Sequence, residues 1–401
     1  MRTRVFVAVV LLVPVVLAGA GPAWADTVFS FNGIGDPVSR MDVRARSMGG
    51  AGRALIDGEV FDQGNFSSAN PALPGGFIRP ALSSLFFFQR RTLNDGTRSH
   101  AVSDGDMGAL RLIVPIRPGA SVAVGLEPLT DLDFGLVQDS GLDSLSHTLT
   151  VDATGGIQAL TLGYAQMVGS RLYLGGRLDL IVLGTISEVW TKEFDNPEIQ
   201  FRSDDLVLRT HRGFAPALGA VYVPAEKWRV GLDLQIGSTV RQTRHERNLF
   251  AQGRLEEGLQ SEADVKLPYS LGIGLGYTTG YKWLAALDVE REFWARTQVG
   301  RHNTLEVAAG VLYRTGEPDL LVRSKRIEWS AGLHYRSLYF STAAGSQVSE
   351  TGASLGFGVP LLGRLGKFRY VLEFGGRGDR ARHGVSERYL RQTLAVSAWF
   401  H

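Results

Sequence analysis

The chain has 401 residues, no cysteine, 42 basic against 40 acidic side chains, and a mean hydropathy of only +0.01. Disulfides and thiolate metal sites are excluded, and so small a charge excess argues against a nucleic-acid partner, whose phosphates need a basic face. Beyond the N-terminus no apolar run reaches the roughly 18 residues of a helical membrane span, so any crossing has to be made by strands.

In chain order, Arg2 and Arg4 precede an apolar run from Val5 to Leu17, and Ala23 and Ala25 sit where a signal peptidase reads small residues. Residues 1–25 are expected to be a secretory signal, and its two arginines supply the net charge of +2. Residues 26–76 follow without clean alternation. They are rich in Gly, Ala and Ser, with one helix-compatible run from Val43 to Leu55. Near their start Val28, Phe29 and Phe31 offer greasy side chains able to occupy an internal pocket. Gly49, Gly50 and Gly52 either let the backbone pass close to a wall or form an ordinary turn cluster. A segment of this size can hang free in the periplasm or fold into a lumen. A wide barrel needs filling, which favours a plug over residues 26–76.

From residue 77 to 401 the period is two. In "WRVGLDLQIG" Trp228, Val230, Leu232, Leu234 and Ile236 share one face; "VKLPYSLGIGLGY" puts Val265, Leu267, Tyr269, Leu271, Ile273, Leu275 and Tyr277 together. Such segments are expected at 77–91, 106–117, 120–138, 146–168, 170–192, 204–223, 228–245, 260–278, 281–297, 302–314, 325–341, 347–361, 367–379 and 386–400. Fourteen is an even number, as antiparallel closure with both ends in the periplasm requires. Connections after even-numbered strands are mostly short, such as "VGS" and "TTG", and those after odd-numbered ones longer and polar. "TGEPDLLVRSK" (315–325) is long where a short turn belongs. Arg177, Asp179, Arg229, Asp233, Asp288, Glu290, Glu306, Arg369 and Glu373 are expected to face the lumen as a salt-bridged wall. The last segment ends on Trp399 and Phe400, as a closing strand does. The fold class is thus all-β: a transmembrane antiparallel barrel of about 14 strands with an N-terminal plug.

"RARSMGGAGRAL" (44–55) followed by Asn70-Pro71-Ala72-Leu73 resembles the hatch of the FadL-type outer-membrane transporters for long-chain fatty acids and other hydrophobic compounds. "SVAVGLEPLTDLDFGL", "LPYSLGIGLGYTTGYKWLAALDVEREFW" and the C-terminal stretch from Arg369 are also similar to members of that family. The resemblance implies a barrel plugged by its N-terminal segment and passive passage of greasy molecules, with Gly49, Gly50, Gly52, Asn70 and Pro71 in the plug. It also implies a kink in the third strand that opens the wall sideways, and Gly125 and Pro128 fall at the matching place. The other reading of Pro128 is a strand end near the membrane rim, since proline removes a ladder bond wherever it stands. The chain is shorter than the fatty-acid transporters and its outer loops are trimmed. Some relatives of similar build serve as adaptor or shuttle barrels in protein secretion.

Other motifs lead nowhere catalytic. "GIGLG" (272–276) lies mid-strand with no helix after it, so it is strand packing and not a dinucleotide site. Arg377-Gly378-Asp379 reads as a chance RGD. The eight histidines never pair at metal spacing, and Ser146–His147 lacks an orienting acid. The expectation is a non-enzyme without cofactor or metal in the outer membrane of a Gram-negative bacterium. It is expected to be a monomer that touches outer-membrane lipid and passes a hydrophobic small molecule, fatty acid or aromatic hydrocarbon, with lateral release. The alternative is an adaptor holding a protein partner at its outer loops.

Overall fold

The computed structural model describes residues 34–56, 65–97, 99–142, 145–194, 202–250, 258–298, 300–315, 327–341, 345–361 and 366–400. The alternating segments form one closed antiparallel barrel of 14 strands. In chain order these are β1 (Ala81–Asn94), β2 (Ser99–Arg117), β3 (Ala120–Leu142), β4 (Leu145–Val168), β5 (Leu172–Phe194) and β6 (Arg202–Ala225). Next come β7, in two pieces (Trp228–Gln235 and Thr239–Phe250), and β8, also in two (Gln260–Lys266 and Ser270–Thr279). The ring is completed by β9 (Trp283–Glu292), β10 (Thr304–Arg314), β11 (Glu328–Ser341), β12 (Gln347–Leu361), β13 (Gly366–Arg377) and β14 (Ser386–Trp399). The C-terminal alternation has its reason here. β14 pairs with β1 from Ser386↔Asn94 to Trp399↔Ala81, and this pairing closes the ring at the chain's two ends. Among the described residues no helix is long and apolar enough to cross a membrane.

The outward face is the apolar one. Leu218, Leu232, Ile273, Leu287 and Leu355 are all about half exposed there, as side chains facing lipid in the bilayer must be. Trp228 against Tyr277 and Trp283 against Tyr313, both pairs with ring centroids 4.6 Å apart, mark the lower rim beside the short turns. Such amphipathic rings suit the headgroup level. Inside, the expected charges are buried and paired: Asp179 bonds Arg177 at 2.9 Å, and Arg369 bonds Glu328 at 3.0 Å.

The wall is creased along one line. Leu129 is an extra residue between Pro128↔Gln158 and Thr130↔Ile157 on β4. Pairing slips again at Ile181–Gly184 of β5, and β7 and β8 both break, at 236–238 and 267–269. Each slip turns the faces over, because a one-residue shift exchanges the two sides of a strand. The even positions Val122 and Val124 of β3 face lipid, yet Leu132 and Phe134 are buried inside. The alternation of "VKLPYSLGIGLGY" therefore reads as one face but is two. Leu271 and Ile273 meet lipid, whereas Val265 and Leu267 pack on an inner apolar cluster.

The strand estimates fail at the outer ends. β2 begins at Ser99 instead of 106, since Ser99–Met107 pairs with β1 as a hairpin that rises past the bilayer. The ninth strand stops at Glu292, where Trp294–Arg296 turns as a 3-10 helix. The helix-compatible run gives only α1 (Val43–Arg46), because Gly49 and Gly50 take φ of 73° and 98°, conformations that end a helix. The long connection at 315–325 falls outside the described residues from 316 onward.

Candidate functional site

Residues 34–56 and 65–77 run inside the barrel and are tied to its wall by side chains scattered along the sequence. Arg53 is the largest single tie. Its guanidinium meets Asp233 at 2.6 Å and also bonds Glu290, while the Gly52 and Arg53 amides donate to Asp288 at 2.7 and 2.8 Å. Gly272 and Gly274 of the "GIGLG" stretch leave the room; a β-carbon on either would come within 2.4 and 2.8 Å of Arg53. Asn70 donates to the carbonyls of Arg53 (2.9 Å) and Ala220 (3.1 Å) and accepts from the Ala72 amide at 3.0 Å. Pro71 lies against Gly175 and Gly219 of the wall, where a β-carbon would sit 2.1 Å from the Pro71 carbonyl oxygen and 2.2 Å from the Asn70 side chain, respectively. Gly219→Val is expected to lift this turn off β6, read as faster proteolysis between residues 57 and 70 in an otherwise heat-resistant barrel. An unchanged cleavage rate would show that the contact does not hold the turn.

Gly49 has no room for a side chain beside Leu333, whose carbonyl oxygen would stand 2.4 Å from a β-carbon, and Gly52 abuts Ala45. Gly50 faces Glu306 with space to spare. Phe29 and Phe31 lie outside the described residues.

Asp36 anchors the start of the inner segment. It accepts from Arg377 at 2.7 Å and lies 3.6 Å from Arg336 and 3.9 Å from Arg91. Arg377 thus serves the interior and not a surface RGD. Burial alone would raise the Asp36 carboxyl, but Arg377, Arg336 and Arg91 outweigh it and hold its pKa below the usual carboxylate value. A depressed folded pKa adds stability above the unfolded value and loses it as pH falls through the folded one. Below about pH 4 the inner segment is therefore expected to loosen, with amide exchange at 34–39 accelerating before the barrel strands respond. Equal acceleration in an Asp36→Asn variant would rule this group out as the cause.

Asp36 and Pro37 also pair with Asp131 and Thr130 of β3, and the Val38 amide donates to the Leu129 carbonyl at 3.0 Å. They can do so because β3 has lost its other partner. The β2–β3 ladder runs from Arg117↔Ala120 up to Leu110↔Leu126 and stops. Above it β2 stays with β1 and β3 with β4. Gly125 is the next to last paired residue of β3 on this side, opposite Arg111, and Pro128 stands just past the end. Arg111 and Glu127, 2.8 Å apart, close the last rung, and Ser68 of the inner segment donates to Glu127 at 2.5 Å.

Behind this end lies a cavity of about 140 Å³. Its apolar wall includes Ile34, Leu129, Leu267, Trp294 and Leu338, and its floor carries Arg40, Arg177 and Glu290. Over it Ile34, Ile157, Ile181, Val240, Trp294 and Tyr339 pack together as an apolar roof. Trp294 stacks on Tyr339 at 4.3 Å, and the Tyr339 hydroxyl donates to the Gly35 carbonyl at 2.7 Å. Of these parts, the sequence reading singles out the glycines, Asn70, Pro71 and Pro128 and misses Arg53, Asp36 and the roof. Pro268, at the β8 break, is a signal it passes over.

The same architecture recurs in solved structures. A FadL homologue from Pseudomonas aeruginosa matches with a TM-score of 0.64 at 12% identity over 92% of this chain and all of that one. The toluene transporter TodX from P. putida gives 0.58 at 12% identity, covering 91% and 99%, and the CymD monoaromatic hydrocarbon channel 0.57 at 16%, covering 92% and 99%. At such identities the likeness establishes the fold, that of FadL-type channels of the Gram-negative outer membrane. No curated protein matches in sequence. A family model described as BamG matches residues 1–401, the entire sequence, and the chain belongs to that family.

Proposed function

We propose that this protein is a passive outer-membrane conduit for small hydrophobic molecules, with the inner segment as its plug and release sideways between β2 and β3. The observation that carries the reading is the end of the β2–β3 ladder at Leu110↔Leu126, one residue short of Glu127-Pro128 and beside the Leu129 edge of the cavity. A lipid-facing wall satisfies every backbone group, so a ladder that ends near the bilayer is a place of passage and not an accident of packing. The apolar roof favours molecules that leave water readily. The size of the cavity bears on the substrate class: about 140 Å³ is the volume scale of a benzene-sized ligand, here with Leu129 and Trp294 on one side and Arg40, Arg53, Arg177 and Glu290 on the other. A single aromatic ring fits it, and a long acyl chain does not without rearrangement. The names of the TodX and CymD channels point the same way.

Proteoliposomes carrying the full chain are expected to take up toluene faster than empty liposomes, and to favour it over a long-chain fatty acid. No increase for any member of a panel of aromatics and fatty acids would overturn the reading. A protein co-purifying in stoichiometric amount from native membranes, together with absent uptake, would instead support an adaptor role at the outer loops.

A further inference from the structure

We infer a binding site for the phosphate group of an outer-leaflet lipid on the outer surface of the barrel, at the crease between β6 and β7. It goes beyond the transport reading, since it lies on the lipid side of the wall. The β6–β7 ladder is interrupted between Ala217↔Gln235 and Arg212↔Arg241, with a single bond from the Ile236 amide to the Pro216 carbonyl in between. Pairing resumes at Arg212↔Arg241, and on the outer surface beside that end Thr210, Arg212, Gly213, Arg241, Thr243, His245 and Glu262 line a shallow open depression.

These residues face out. On β6 Arg212 shares its parity with the lipid-exposed Phe214 and Leu218 (60% and 55%), while His211 and Ala215 are buried. On β7 Val240 is buried and Arg241 exposed. The height is equally fixed. Below the crease the outward residues of β6 to β8 are Phe214, Leu218, Leu232, Leu234, Tyr269 and Leu271; just above it come Arg212, Thr210, Arg241, Thr243, Asp264 and Lys266, with Leu208 and Leu206 of β6 further out. That change from apolar to charged is the outer headgroup level.

Two guanidiniums stand directly opposite each other at this level, an arrangement that repels unless an anion lies between them. Among the described residues no carboxylate comes within ion-pair distance of Arg212 or Arg241. One rung further out Thr210 faces Thr243, adding two hydroxyl donors. Glu262, opposite Thr243, and Asp264, opposite Arg241, put negative charge on the β8 side and confine the favourable region to β6 and β7. Two arginines, two hydroxyls and a histidine above an apolar slope suit a phosphate monoester whose acyl chains run down past Phe214 and Leu218.

The test titrates purified full-length protein in detergent with diphosphoryl lipid A, dephosphorylated lipid A or inorganic phosphate, read by native mass spectrometry. The phosphorylated lipid is expected to bind about tenfold more tightly than its dephosphorylated form, and inorganic phosphate not to displace it. In Arg212→Gln/Arg241→Gln protein the preference should vanish while uptake of hydrophobic substrate is kept; the single Arg241→Gln variant serves if the double one does not fold. Equal binding of both lipids by the parent, or a preference kept in the variant, would overturn the site. Displacement by inorganic phosphate would overturn its assignment to a lipid.

Discussion

Arg53→Ala protein is expected to fold into a barrel as heat-resistant as the parent but to hold its inner segment loosely. The reason is an asymmetry of buried charge. Arg53, Asp233, Asp288 and Glu290 form one cluster away from water, and removing the cation leaves three carboxylates facing one another. Breaking a buried pair in this way costs about 3–5 kcal/mol, far more than the few tenths of an exposed pair. The barrel's own ladders do not involve Arg53, so the loss falls on the docking of residues 34–56. Three kcal/mol raises the undocked population by about a hundredfold. Because the chain has no cysteine, a cysteine at the fully buried Ala51 reports on that population alone. Its reaction with a maleimide is expected to quicken by about that factor in Arg53→Ala, and ion conductance across planar bilayers to appear. If labelling is no faster, the cluster does not hold the inner segment.

The barrel was legible because its physics is local. Each strand has to present alternate faces to lipid and lumen, and closure at even number follows from chain direction, so counting alternations reaches fourteen strands without any tertiary information. The crease was not legible, and "VKLPYSLGIGLGY" shows why. Apolar residues recur at every second position through Val265, Leu267 and Leu271, yet the break at Pro268 sends the first two inward and the third to lipid. Periodicity registers spacing, not sides. Both interiors of the crease, the roof and the lumen, accept apolar groups, so nothing in composition marks the exchange.

The candidate site divides along the same boundary. Gly49 and Asn70 were visible because their backbone tasks, a positive φ and a capped turn, restrict residue type locally. Asp36 and Arg53 were not, since their partners Arg377 and Asp233 lie 341 and 180 residues away, and an isolated acid or base in the sequence names no partner. Gly272 and Gly274 read as strand packing, which they are, but what they pack against is the Arg53 side chain.

Pro128→Val is expected to lower uptake of toluene by about tenfold while leaving the thermal unfolding of the barrel unchanged. On the proposed reading the opening exists because β3 cannot continue its ladder to β2. Extending the register of Leu110↔Leu126 would set Gly108 opposite Pro128, which has no N–H to give. Valine restores the donor and suits a strand, so pairing can advance past Leu126 and narrow the gap. The penalty to folding is small, because β3 remains paired with β4 from Ala120↔Gln166 outward on either side of the bulge. Deleting Leu129 makes the contrasting control. It would remove the extra residue and set Thr130 directly after Pro128, so that the ladder to β4 becomes regular while Thr130, Leu132 and Phe134 keep their inward faces and Thr130 its 2.6 Å bond to the Ile34 carbonyl. That variant keeps Pro128 beyond the end of the β2–β3 ladder and is expected to keep toluene uptake, which separates an effect of the proline from one of the bulge. Toluene uptake by Pro128→Val protein equal to the parent's would place the exit elsewhere in the wall, with the break of β7 and β8 at 236–238 and 267–269 the next place to test.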